Sequence, residues 1–256
     1  MRIVFLGTGT SYGIPVVGCG CPVCGSKDPR DSRYRASIYL ESGPTAIAID
    51  AGPEFRLQAL RARITRLDAL LLTHAHADHV NGLDDVRPLT FGRELPVYGN
   101  EATLAETRER FAYIFRPTQE GGGKPRIELR EAGAEPLRIG TLEIVPVPVL
   151  HGAIPILGWR CGSFAYVTDC SELPDSSLGA LRGVETLVIN GLRHEPHATH
   201  FSLDQAIAAA RRIGARRTLL THMNHESAHV ELEAYCAKVG ADVGAAPAFD
   251  GLELEV

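Results

Sequence analysis

Seven residues, Thr73-His74-Ala75-His76-Ala77-Asp78-His79, constrain this chain more than any other stretch. They bring three imidazoles and a carboxylate together directly after the apolar segment Leu67-Asp68-Ala69-Leu70-Leu71-Leu72. Such a run reads as a buried strand, and it delivers the cluster to the strand's carboxyl end, where layered α/β architectures build their sites. His74 and His76, two apart on extended chain, point to the same side and can share one metal. Asp78 and His79 fall where the chain turns into a helix, so they can address a second metal beside the first. The bland alternative is a solvated turn with chance histidines. Four potential donors so close together argue against it, because neutral imidazole is a common metal ligand.

The remaining sequence supports one layered α/β domain over residues 1–256. No Pro- or Ser-rich linker divides the chain, and 45% apolar with 22% charged residues is an ordinary globular composition. Arg2 to Leu6 reads as a first strand with no signal peptide ahead of it, and no apolar run reaches the roughly 20 residues of a membrane span. A cytoplasmic location without a membrane is therefore expected. A net charge of −5 gives no general attraction for nucleic acid. Arg56, Arg61, Arg63 and Arg66 form a local basic stretch, expected to be a solvated helix face.

Ile38–Leu40 and Thr45–Ile49 read as a hairpin turning at Ser42-Gly43-Pro44. Asp50-Ala51-Gly52-Pro53 is expected to start a helix that runs to about Leu60. Further helices are expected over Glu101–Phe115, Pro174–Leu181 and Ser202–Ile213, the last with Ser202 as N-cap. Val184–Ile189 and Thr218–Leu220 read as buried strands, and the glycine-rich Glu120–Pro125 as a mobile loop. Hairpins followed by βα units favour two sheets between helices, a four-layer αββα sandwich, over a doubly wound parallel sheet. Trp159 and Tyr166 fall in strands and are expected in the core.

Cys19-Gly20-Cys21-Pro22-Val23-Cys24 places three thiols in six residues, in a glycine-rich loop spanning about residues 18–30. C-x-C-x-x-C with a remote fourth ligand is a pattern of closed structural zinc sites. A disulfide would leave one of the three unpaired, and nothing in the sequence signals export, so metal is the better reading. Cys161, Cys170 and Cys236 are scattered and read as small buried residues.

The H-x-H-x-D-H run resembles the signature of the metallo-β-lactamase-fold hydrolases. That family completes a dimetal site with a His, a bridging Asp and a final His, each at the end of a later strand. Here His151 follows Leu142–Leu150, Asp169 closes Phe164–Thr168, and His222 closes Arg217–Thr221. The resemblance implies His74, His76 and His151 on metal one, Asp78, His79 and His222 on metal two, and Asp169 bridging. A bridging anion has a physical basis, since two dications about 3.5 Å apart repel by roughly 19 kcal/mol at an effective dielectric of about 20. The two ions, zinc or manganese, then supply an activated water as nucleophile, which Asp78 can orient.

The cysteine loop narrows the resemblance to the PhnP-type phosphoribosyl cyclic phosphodiesterases. In that group a His three positions beyond the last catalytic His joins the cysteines. Here it is His225, and His229 competes for the role. His200 resembles the general acid used at this place by PhnP-type enzymes and long-form RNase Z. His194 and His197 are expected to face solvent or the substrate rim. The resemblance implies hydrolysis of a small cyclic ribose phosphate, of the 5-phosphoribosyl 1,2-cyclic phosphate type. RNase Z-like tRNA processing is the enzymatic rival, weakened by the acidic charge and by the lack of sequence for a tRNA-gripping arm between Asp169 and His222. A non-catalytic metal-binding protein of the PqqB type is the other rival; that group typically degrades the His run, which is intact here. A homodimer remains open.

Overall fold

A computed structural model of the chain describes residues 1–117 and 123–256. Six strands come first: β1 (Arg2–Gly7), β2 (Ser37–Ser42), β3 (Thr45–Ile49), β4 (Ala69–Leu71), β5 (Leu95–Gly99) and β6 (Ile127–Glu131). Seven follow: β7 (Leu137–Ile139), β8 (Leu142–His151), β9 (Ile154–Cys161), β10 (Phe164–Val167), β11 (Thr186–Asn190), β12 (Arg217–Thr221) and β13 (Ala245–Pro247). The last strand, β14 (Glu253–Glu255), returns to the first sheet and pairs antiparallel with β1. The result is two mixed seven-stranded sheets, ordered β14-β1-β2-β3-β4-β5-β6 and β13-β12-β11-β10-β9-β8-β7.

Side-chain alternation shows how these sheets stack. Ile3, Phe5, Ile38, Leu40, Ile47 and Ile49 from one sheet meet Trp159, Tyr166, Val188 and Leu219 from the other in a shared core. The intervening Val4, Leu6, Ala46 and Ala48 point outward into a second cluster with Phe55, Val80 and Val86. Leu187, Ile189 and Leu220 do the same on the other side, against Leu203, Ala206, Ile207 and Leu232. Period-two alternation with both faces apolar requires cover on both faces. The helices supply it: α1 (Phe55–Arg61), α2 (Ala77–Val80), α3 (Glu101–Arg110), α4 (Ala112–Phe115), α5 (Asp175–Ala180), α6 (Leu203–Ile213) and α7 (His229–Val239). The expected αββα sandwich is the observed architecture, with Trp159 and Tyr166 between the sheets.

Several boundaries differ from expectation. The first helix begins at Phe55, not at Pro53: Pro53 and Glu54 form a turn ahead of it, and Asp50 takes a left-handed conformation. The stretch 101–115 is two helices broken at Phe111. Only Arg56 and Arg61 lie on α1; Arg63 lies in the turn after it and Arg66 in the loop beyond, where it pairs with Glu41. Of the glycine-rich loop 120–125, residues 120–122 lie outside the described residues. Among the described residues no helix is long and apolar enough to cross a membrane.

Candidate metal centre

The site lies where strand ends from the two sheets converge. After β4 the chain runs through Thr73 into α2, carrying His74, His76, Asp78 and His79 within one turn of a new helix. β8 ends on His151, Asp169 lies two residues beyond β10, and His222 directly follows β12. Asp169 and His222 both take positive φ, at 56° and 55°. Left-handed backbone is costly for residues with a Cβ and is kept where surrounding structure compels it, as at functional sites.

Two donor groups result, each with its ligand atoms within 4.8 Å of one another: His74, His76 and His151, and Asp78, His79, Asp169 and His222. Asp169 lies between them. One carboxylate oxygen is 3.4 Å from His79 Nε2; the other is 3.2 Å from His222 Nε2 and 3.8 Å from His74 Nε2. All seven sequence-predicted side chains are therefore brought together, with Asp169 between the two groups. His76 alone is exposed, which puts it at the mouth.

The donor chemistry fits divalent cations. His74 Nε2 and His79 Nε2 are buried and have no hydrogen-bond partner, an arrangement that is costly unless something else occupies those lone pairs. Burial keeps His74 well below the usual histidine range, so it is neutral and ready to donate its lone pair. Burial opposes a charge on His79 as well, but Asp169, Asp78 and Asp50 outweigh it and raise its pKa well above the usual histidine range. Asp169 is held well below the usual carboxylate range by His222 and His79, against its own burial. Three buried carboxylates around one imidazole call for positive charge, which metal ions would provide.

Asp50 was not foreseen as a site residue. It is fully buried and accepts hydrogen bonds from Thr73 N at 2.8 Å and Thr73 Oγ1 at 2.8 Å, while His79 Nδ1 lies 2.7 Å away. This fixes His79 with Nδ1 carrying hydrogen and Nε2 facing the centre, the carboxylate–histidine–metal arrangement. His151 is fixed likewise, its Nδ1 donating to the Thr199 carbonyl at 2.7 Å.

His200 reaches the same cavity from the loop before α6. Its Nε2 lies 3.2 Å from Asp169, and its ring is 4.7 Å from that of His151. Burial lowers its pKa, only partly offset by Asp169, making it a stronger acid than free histidine. His197 is exposed at the rim, and so is His194, whose ring packs against Tyr235 instead.

The second cluster is equally defined. His225 Nδ1 lies 3.4 Å from Cys19 Sγ, 3.4 Å from Cys21 Sγ and 3.5 Å from Cys24 Sγ. His229 is eliminated as the fourth member: its Nδ1 meets Arg33 Nη2 at 3.0 Å, and its backbone N–H donates to Asp31. Hydrogen bonds to the sulfur bring the Cys21 thiol down to about 6, first from the Cys24 N–H and then from His225. Three thiols and an imidazole converging on one point match a tetrahedral zinc site.

Comparison with known proteins settles the lineage. Residues 45–223 match the β-lactamase superfamily domain. The chain belongs to that family. A solved structure described as a new diphosphatase from the PhnP family is 40% identical, has a TM-score of 0.90, and is matched over 100% of this chain and 97% of its own. An octanoyltransferase of Porphyromonas gingivalis is 40% identical over 89% of this chain, which spans only 46% of that longer protein. A ribonuclease Z of Mycobacterium avium is 27% identical, over 82% of this chain and 85% of the relative. The member described here is thus PhnP-like, with the metallo-β-lactamase sandwich.

Proposed function

We propose that this protein is a dimetal-dependent phosphohydrolase that cleaves a P–O bond in a small phosphorylated molecule. The observation that carries the reading is the convergence of His74, His76, Asp78, His79, His151, Asp169 and His222 with His200 beside them. Bound in the two donor groups, zinc or manganese ions would supply Lewis acidity to the phosphoryl oxygens and lower the pKa of water. The chain's own residues do the rest. Asp78 Oδ2, facing His79 and His222, accepts from the attacking water and orients it. His200 Nε2 gives its proton to the leaving oxygen. The Cys19, Cys21, Cys24 and His225 set would hold a structural zinc and so order the wall beside His222.

Within that class, a cyclic ribose phosphate is the substrate expected for a PhnP-type enzyme. A diphosphate linkage is the second reading, favoured by the 40%-identical PhnP-family diphosphatase. Both require attack at phosphorus and expulsion of one oxygen. An octanoyl transfer is the poorer match: more than half of the longer relative lies outside the segment this chain resembles. Processing of tRNA fares no better. The interval from Asp169 to His222 is filled by α5, β11, a short loop, α6 and β12, leaving no length for a gripping arm.

The test is a panel of 5-phosphoribosyl 1,2-cyclic phosphate, a nucleoside diphosphate derivative, precursor tRNA and a thioester, assayed with zinc or manganese. Turnover should be confined to the first two and should fall at least 100-fold in a folded His76→Ala variant. Preferred cleavage of tRNA or of the thioester would overturn the assignment.

A further inference from the structure

In the second sheet β11 lies between β10 and β12, whose chains run on to Asp169 and His222. β11 itself gives no side chain to the two donor groups. It ends on Asn190, which is fully buried. The ladder between β10 and β11 closes with Val167 opposite Ile189, and beyond it Asp169 turns the chain off the sheet at φ 56°. Cys170, the next residue, is also fully buried, so its backbone N–H and C=O need partners away from the ladder. The Asn190 carboxamide supplies both. Its Oδ1 accepts from Cys170 N at 2.7 Å, and its Nδ2 donates to Cys170 O at 3.1 Å. Because an N–H only donates and a C=O only accepts, this pairing admits one orientation of the amide.

The same short segment ties in the rest of the centre. Phe201 N donates to Cys170 O at 2.7 Å, and Leu192 N donates to Phe201 O at 3.0 Å, so the residue after His200 is pinned on both sides. Gly191 N donates to Thr221 O at 3.0 Å, directly before His222. The Asp169 carboxylate accepts from the Thr168 hydroxyl at 2.7 Å, which orients the side chain but not the backbone that carries it. We propose that Asn190 is a positioning residue: by clamping Cys170 it holds Asp169 in the left-handed turn that keeps its carboxylate between the two donor groups. Such a turn at a residue with a Cβ persists only where its surroundings over-determine it. Leucine at 190 would keep the branched outline and make neither bond. Cys170 N would then have lost its acceptor, and the turn at Asp169 would be free to relax.

This inference rests on the reading of Asp169 as a ligand shared by two cations, and the experiment separates the two. The metal-depleted full chain is titrated with cobalt(II) against a chromophoric chelator. Thiolate-to-cobalt absorption identifies filling of the cysteine set, which serves as an internal reference. Asn190→Leu should weaken binding at the histidine–aspartate centre by about 10- to 100-fold and leave binding by the cysteines unchanged. Leu187→Ala, which removes core contacts three residues earlier on β11 and leaves Asn190 in place, should change neither. If Asn190→Leu does not fold, Asn190→Ser, with one hydroxyl on a shorter arm, carries the same expectation. Native affinity at the centre in the Asn190 variant, or an equal loss in Leu187→Ala, would overturn the positioning role. Asp169→Asn should abolish binding of the second cation; unchanged binding there would instead overturn Asp169 as a shared ligand.

Discussion

Asp50 shows how much a single buried side chain can determine. Its carboxylate holds the backbone and hydroxyl of Thr73 together with the far ring nitrogen of His79, so it orients both the start and the end of the ligand run. Replacing it with a neutral amide keeps the volume but weakens the acceptor and leaves a donor against Thr73. Asp50→Asn is expected to lower affinity for the second metal by about 10- to 100-fold with the fold retained, as read by competition with a chromophoric chelator. Unchanged affinity would refute the role. The ligands themselves were legible in the sequence because each sits at the end of an apolar strand, and strand ends are where such sites are built. Asp50 was not. In Ile49-Asp50-Ala51-Gly52-Pro53 it looks like the lead-in to a helix, and its partner His79 is 29 positions away. Only the folded chain shows that the two touch. Thr199 escaped for a related reason: it meets His151 through a backbone carbonyl, which carries no motif.

At the level of elements, polarity patterns and caps set most boundaries. Helix α6 is the best defined. Ser202 accepts from Gln205 N while the Gln205 side chain accepts from Ser202 N, and Gly214 closes the other end in the left-handed region. Ser202→Ala should cost about 1 kcal/mol, measured as a lower denaturant midpoint with an unchanged slope. A larger consequence is positional, since Ser202 is two residues from His200. Elements without such signals were read less well. Nothing around Phe111 marks a break, yet its backbone leaves the helical region at φ −107°, and α3 ends one residue before. The basic stretch departs from a single helix face because α1 is only seven residues long. Arg63 and Arg66 lie past its end, Arg63 itself at positive φ, and there Arg66 serves as a partner for Glu41.

Across the whole molecule, contacts between distant parts of the chain hold the sandwich closed. Asp250, between β13 and β14, accepts from Thr8 Oγ1 at 2.8 Å and Tyr34 N at 2.6 Å. Burial pushes its carboxyl up to about 6 despite those bonds and the charge of Arg33. A folded pKa above the unfolded value of about 3.9 means a contribution that is complete below pH 4 and is lost as pH rises through about 6. Asp250→Asn, which cannot ionise, should therefore gain on the native chain by on the order of 2 kcal/mol between pH 4 and pH 7.5 in denaturant titrations. A difference independent of pH would show that Asp250 stays neutral or charged throughout. The cysteine cluster is a longer-range tie, and it has a consequence for biosynthesis. Its three sulfurs are made some 200 residues before His225. During elongation a cation captured early by the thiols would lack its nitrogen ligand and remain labile. The N-terminal loop can meet its imidazole only once β12 and the segment bearing His225 have been made. Competence of this wall of the cavity is thus delayed relative to synthesis of the thiol loop and coupled to the arrival of His225.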